Sequence, residues 1–164
     1  MKLGIDVGRV LISPGDESSP DTSFIGGSED DALRTPPYDG MFEELPGLVS
    51  LFRGQVWIVS KCGARVRQRT LDWFAHHRFF ERTGIDPTRV RFCRERPQKA
   101  GICAELGITH FVDDRRDVLE PMRDVVRFRF LFGPQRERER AEEGIVPVMD
   151  WPATARALRS AMEG

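Results

Sequence analysis

No apolar run in this chain reaches 18 residues, which argues against a membrane-spanning helix. The amino terminus begins directly on strand-like residues, so the expectation is no signal peptide and a cytoplasmic location. An excess of one charge is also missing. With 25 basic residues against 26 acidic ones the net charge is -1, which removes any global bias toward nucleic acid or membrane and leaves local anion binding open. Cysteine is sparse. Cys62, Cys93 and Cys103 are odd in number, widely spaced and in no Cys-x-x-Cys or paired Cys/His pattern, which speaks against a disulfide framework and against zinc, and for reduced, buried thiols. Lysine is scarcer than the charge balance suggests: three, at positions 2, 61 and 99, against 22 arginines.

What is present fits one soluble globular domain over residues 1–164, long enough for a real core. Residues 2–12 read as a first strand, apolar on both sides of Asp6 and kinked at Gly8. Hydrophobic residues on both faces suit the centre of a parallel sheet covered by helices. Residues 13–38 are rich in Ser, Asp, Gly and Pro and read as a long loop or flap leaving the strand that carries Asp6. A helix is expected at 42–52, a strand at 55–59 handing over to Ser60, and a helix at about 64–77 with Val66, Leu71 and Trp73 or Phe74 inward and Arg65, Arg67 and Arg69 toward water. A strand at 90–93, a helix at 99–106 closed by Gly107, a strand at 109–112, a short helix to about 122 and a strand at 126–132 follow. Residues 136–143 alternate in charge sign and read as a solvated loop or face; 146–149 add an edge strand, and 151–162 close the chain as an amphipathic helix. This alternation implies right-handed crossovers and an α/β fold built on a mainly parallel sheet of five to six strands, with helices on both faces.

Such a sheet gathers Asp6, Ser60, the loop 94–99 and the pair Asp113-Asp114 at one edge, where open α/β sheets bind ligands. Three carboxylates in one pocket repel one another unless a cation neutralises them, and a hard, oxygen-preferring ion such as Mg2+ is the natural partner. Ser60 and Lys99 would then hold phosphoryl oxygens, and Asp6 would be the attacking carboxylate. Two of the three lysines, Lys61 and Lys99, fall directly after expected strand ends at this edge. A compact ammonium suits a phosphate oxygen where a guanidinium fork does not fit.

The order of a hydrophobic strand with Asp6, a strand with Ser60, then Lys99, then Phe111-Val112-Asp113-Asp114 resembles the four motifs of the haloacid dehalogenase (HAD) superfamily across most of the chain. The resemblance implies a three-layer Rossmann-like (HAD-like) fold with the first strand central, and a small flap at 13–38. It implies a Mg-dependent phosphohydrolase that works through an aspartyl-phosphate on Asp6, with Ser60 and Lys99 on the phosphoryl group. The metal would be held by Asp6, the carbonyl of Gly8, Asp113 and Asp114. Lys61, Arg94 and Arg96 are further candidates for substrate binding, the two arginines for a second anionic group.

The sequence departs from the family at Gly8, where most of its phosphatases carry a second aspartate that protonates the leaving group. Proton transfer of that kind is worth roughly 100- to 10,000-fold. Its absence leaves substrates with good leaving groups, such as acyl phosphates or anhydrides, or a substitute such as Asp16 or Arg9. The alternative is a non-catalytic HAD-like protein that binds phosphate and metal, or regulates, without turnover. The expected partner is a phosphorylated small molecule or nucleotide, not a membrane, and a nucleic-acid partner is disfavoured because acidic residues offset the arginines. Asp117 reads as a first-turn helix residue, His110 as a structural strand histidine, and Trp57, Trp73 and Trp151 as packing residues.

Overall fold

The computed structural model describes residues 1–14, 27–135 and 143–164. Its strands are β1 (Leu3–Ile5), β2 (Val56–Lys61), β3 (Val90–Cys93), β4 (His110–Asp113), β5 (Phe128–Phe132) and β6 (Ile145–Val148). They form one sheet in the order β3-β2-β1-β4-β5-β6, and every pairing is parallel. The chain works outward from β1 to β3 on one side, then returns across β1 to build β4 to β6 on the other. That reversal lies between β1 and β4, the place beyond the strand ends where open α/β sheets bind ligands.

Helices cover both faces. On one side are α1 (Glu29–Arg34), α2 (Met41–Leu51), α3 (Ala64–His76), α4 (Phe79–Thr83) and, after β6, α7 (Trp151–Glu163); on the other are α5 (Gln98–Leu106), α6 (Arg116–Leu119) and a 3-10 turn at Glu120–Met122. Adjacent strand residues divide between the layers. Ile58, Val112 and Phe130 join Leu45, Trp73, Phe79 and Trp151 in the larger core, whereas Val59, Phe111 and Leu131 join Cys103, Leu119 and Met122 in the smaller one. This is a three-layer, Rossmann-like α/β architecture. Among the described residues no helix is long and apolar enough to cross a membrane.

Two local features position the site. Gly4 pairs with Phe111 across β1 and β4, and a Cβ on it would fall 2.5 Å from the Phe111 ring. Glycine therefore leaves room for the Phe111 ring over the central strand between the two site-bearing segments. At the far edge, β6 places Pro147 opposite Leu131. Because the amide of Gly133 donates to the carbonyl of Val148 at 2.8 Å, Val148 faces β5 and Pro147 turns its nitrogen outward, where a missing N–H costs the sheet nothing.

Several expectations need correction. The first strand ends at Ile5, not at residue 12: the Val7 carbonyl accepts the amides of Val10, Leu11 and Ile12, and Arg9 adopts a left-handed φ of 60°, so the chain coils into a tight turn directly after Asp6. The segment 13–38 is not all loop, since α1 forms at 29–34; Ser28 and Asp31 cap each other's backbone amides there. Residues 15–26 of that segment, Asp16 included, lie outside the described residues, as do 136–142. The ends of the segment are joined, the Ser13 amide donating to the Pro36 carbonyl at 2.9 Å and the Tyr38 amide to the Leu11 carbonyl at 2.8 Å. A short helix, α4, continues the chain after α3 in a stretch to which the sequence reading assigned no element, and it ends at Gly84.

Arg69 does not face water. It is 2% exposed, and its guanidinium donates to the Glu29 carboxylate and to the Gly27 carbonyl. One and two turns on along the same face of α3, Trp73 donates to the Thr35 carbonyl and His77 bonds the Leu33 carbonyl. Residues 69, 73 and 77 thus clamp the returning arm of the 13–38 segment onto α3, which the hydrophobic periodicity of α3 alone did not indicate.

Candidate functional site

The candidate site is built at the carboxyl ends of β1 and β4. Asp6 follows β1 directly, its amide bonded to the Val112 carbonyl at 3.0 Å, so β4 fixes where the Asp6 side chain leaves. Asp113 ends β4 and is fully buried; Asp114, one residue on, is half-buried. One carboxylate oxygen from each of Asp6, Asp113 and Asp114 lies within 4.8 Å of the other two. Lys99, from the first turn of α5, inserts between two of them: its Nζ donates to Asp6 Oδ1 at 2.7 Å and to Asp113 Oδ2 at 2.8 Å. The second oxygen of Asp113 accepts the Arg115 amide at 3.0 Å. Asp6 Oδ2 carries no hydrogen bond among the described residues, and the Asp6 side chain is 11% exposed.

The electrostatics follow from this crowding. Burial opposes the Lys99 ammonium, but the carboxylates of Asp6 and Asp113 outweigh it and raise its pKa, so the lysine is charged throughout the physiological range. Burial and then the negative charge of Asp6 raise Asp113, with Lys99 pulling the other way; burial and the charges of Asp6 and Asp113 raise Asp114. Three carboxylates face one hydrogen-bonded ammonium and the more distant charge of Arg9 on Asp114, which leaves the cluster short of positive charge. An all-oxygen donor set with a net deficit of positive charge fits a hard divalent cation.

The remaining expected residues take different places. Ser60 is buried near the end of β2 beside β1; its carbonyl faces the Cys93 thiol at 3.8 Å. Lys61, Arg94 and Arg96 are exposed on the rim. Gly8 is half-buried in the turn after β1, without a positive φ, and a Cβ placed on it meets nothing within 4 Å. Asp117 is exposed and doubly hydrogen-bonded by Arg115. Burial pushes the thiols of Cys62 and Cys93 up and that of Cys103 up to about 12, away from the reactive thiolate form.

Two glutamines escaped the sequence reading. Gln98 Oε1 accepts the amides of both Arg94 and Glu95, at 3.0 and 2.9 Å, which folds the loop before Lys99 back on the helix start. Gln135 Nε2 donates to the carbonyls of Asp114 and Phe132, each at 3.3 Å, and steadies the turn after β4. Nothing in their sequence context marks them, because each acts on backbone groups whose position only the fold sets. Neither a protein-family model nor a curated protein matches the chain.

Proposed function

We propose that the chain is a magnesium-dependent phosphohydrolase of the HAD type, in which Asp6 is the nucleophile. The observation that carries this reading is the meeting of Asp6, Asp113 and Asp114 within 4.8 Å around a lysine from a third element. Such a set suits a divalent cation and a phosphoryl group together. The order of these residues along the chain, with Ser60 between them, supports the same reading. Asp6, Asp113, Asp114 and the Gly8 carbonyl would hold Mg2+, which when bound neutralises the charge on phosphoryl oxygens.

The chain's own residues account for the rest. Lys99 holds one Asp6 oxygen and leaves the other free to attack phosphorus. The P–O bond to the leaving group breaks as the Asp6 O–P bond forms, and the leaving group departs with the electron pair. Water then attacks phosphorus, the Asp6 O–P bond breaks, and the carboxylate is restored with release of inorganic phosphate. Ser60 and Lys99 contact phosphoryl oxygens. No side chain at position 8 protonates the leaving group, so acyl phosphates, anhydrides and other esters with weakly basic leaving groups are the favoured substrates. Free cysteines keep the cytoplasm as the proposed compartment.

Magnesium-dependent phosphate release from a panel of acyl phosphates and esters tests this, with Asp6→Asn expected to abolish it. Turnover that survives Asp6→Asn removes the mechanism. A second reading, motivated by Gly8, is a protein that keeps the metal and phosphate site without turnover. Magnesium-dependent binding of a phosphorylated ligand with no release of phosphate from any member of the panel would favour it.

A further inference from the structure

We propose that the same site takes a substrate with a second phosphate beyond the one it cleaves, held by Lys61, Arg65, Arg67, Arg94 and Arg96. The inference rests on the phosphohydrolase reading for the cleaved group and on separate observations for the second. The overall charge is near zero, but its distribution at this rim is not even. From Gln55 to Leu71 the chain has Lys61, Arg65, Arg67 and Arg69 and no acidic residue, and the loop after β3 adds Arg94 and Arg96 against Glu95 alone.

None of the five proposed cations is neutralised by a carboxylate among the described residues, a state shared by Arg53, Arg123, Arg127 and Arg156, whereas five other arginines are paired. Arg34, Arg78, Arg91, Arg115 and Arg159 each bridge to a carboxylate. Among the described residues, none of Lys61, Arg65, Arg67, Arg94 and Arg96 makes an ion pair or a side-chain hydrogen bond, although all are exposed. Asp117, whose carboxylate feels the charge of Arg96, is already committed to Arg115. Like charges held together without direct ion pairs repel, and a bound polyanion relieves that repulsion.

The fold brings the segments that carry them, the end of β2, the start of α3 and the loop after β3, to one place. Lys61 pairs with Cys93 in register, and the Cys62 amide donates to the Cys93 carbonyl at 2.9 Å, so the ends of β2 and β3 stay together. Arg67 reaches from α3 to lie 5.3 Å from the centre of the Phe92 ring on β3. Gln98 fixes the backbone of Arg94 and Glu95. With strands about 4.8 Å apart, the end of β3 stands two strand spacings, about 10 Å, from β1 and Asp6. A phosphoryl group at Asp6 therefore leaves the rest of a phosphorylated chain or nucleotide lying across this basic shelf. The shared chemistry is a phosphomonoester bearing a second phosphodiester or phosphomonoester, whether a free nucleotide or the end of a strand.

The test measures binding by Asp6→Asn protein with magnesium present, using a nucleoside 5′-monophosphate, the corresponding 3′,5′-bisphosphate and a 5′-phosphorylated oligonucleotide. The bisphosphate should bind at least about tenfold more tightly than the monophosphate, as expected for one or two charge-assisted hydrogen bonds. Arg94→Gln/Arg96→Gln and Arg65→Gln/Arg67→Gln should each shrink that ratio, and the affinity of the oligonucleotide should fall with salt by roughly 0.7 log units per log unit for each added phosphate contact. Circular dichroism and a urea midpoint verify that both double variants are folded. An oligonucleotide that outbinds the bisphosphate identifies a strand end as the source; equal affinities identify a free nucleotide. Equal binding of mono- and bisphosphate, or a preference untouched by both double variants, overturns the proposal, even if the native protein hydrolyses monoesters. A preference for the bisphosphate that the double variants abolish upholds it, even if the native protein releases no phosphate.

Discussion

Lys99 Nζ lies 2.8 Å from Asp113 Oδ2, joining the first turn of α5 to the end of β4 where both side chains are almost wholly removed from water. The same ammonium serves Asp6, so one buried cation is shared by two carboxylates. Deleting the lysine leaves those carboxylates facing each other without compensation. Removing one member of a buried pair costs about 3–5 kcal/mol, so metal-free Lys99→Met should lose about that much in urea unfolding. Adding Asp113→Asn to it should return part of the loss, because the two sites are in contact and do not add independently. A Lys99→Met protein as stable as the native one would show that the carboxylates are not charged together.

Magnesium should stabilise the folded protein by mass action. A ligand at about 100 times its dissociation constant contributes about 2.7 kcal/mol, which thermal unfolding would register as a rise in Tm. Asp113→Asn or Asp114→Asn should lose that rise while remaining folded. A magnesium shift that persists in both variants would place the metal elsewhere.

Position 8 has room for the missing acid. Gly8 has no positive φ and open space where a Cβ would stand, so Gly8→Asp should fold with an unchanged urea midpoint. On alkyl phosphates, whose leaving groups need a proton, its kcat should rise by roughly 100-fold or more, with a much smaller gain on acyl phosphates. Equal gains on both would mean that the added carboxylate acts by some route other than proton donation.

His110 gives stability a pH dependence of predictable sign. It is fully buried among Phe52, Phe128 and Phe130. Its Nδ1 bonds Thr109 Oγ1, and its Nε2 has no partner among the described residues. Burial, with smaller contributions from the terminal amine and Arg127, lowers its pKa from 6.5 to about 4. The unfolded chain therefore takes up the proton first as pH falls. The contribution is whole above about pH 6.5, declines between 6.5 and 4, and is flat below, for a total of up to about 3 kcal/mol. Urea unfolding at pH 7, 5.5 and 4.5 should show a shallower decline in His110→Phe than in the native protein; identical slopes would remove the histidine from the account.

The parts of this fold that local pattern determines were legible in the sequence. Apolar runs ending in polar residues located β2 to β6 within a residue or two, and the gathering of their carboxyl ends at one edge of a parallel sheet marked Asp6, Lys99 and Asp113 as neighbours. The misses share a cause. Arg69 looked like a solvent residue because its neutralising contacts, Glu29 and the Gly27 carbonyl, lie about 40 residues away. Helix α1 depends on a cap made by Ser28 and Asp31 within a stretch whose composition reads as loop. The early end of β1 comes from three amides converging on the Val7 carbonyl, a backbone event that leaves no mark in hydrophobic periodicity. The lopsided rim was visible residue by residue, but only the pairing of β2 with β3 shows that its charges share one place.

The outward nitrogen of Pro147 has a consequence for how the molecule behaves in crowded solution. Val146 beside it is 45% exposed, and an exposed apolar strand at a sheet margin normally invites a neighbouring chain to dock alongside it. With no hydrogen to offer at the middle of that margin, the strand cannot complete a ladder with a newcomer. Replacing Pro147 by a residue that has an amide hydrogen should therefore make edge-to-edge stacking easier.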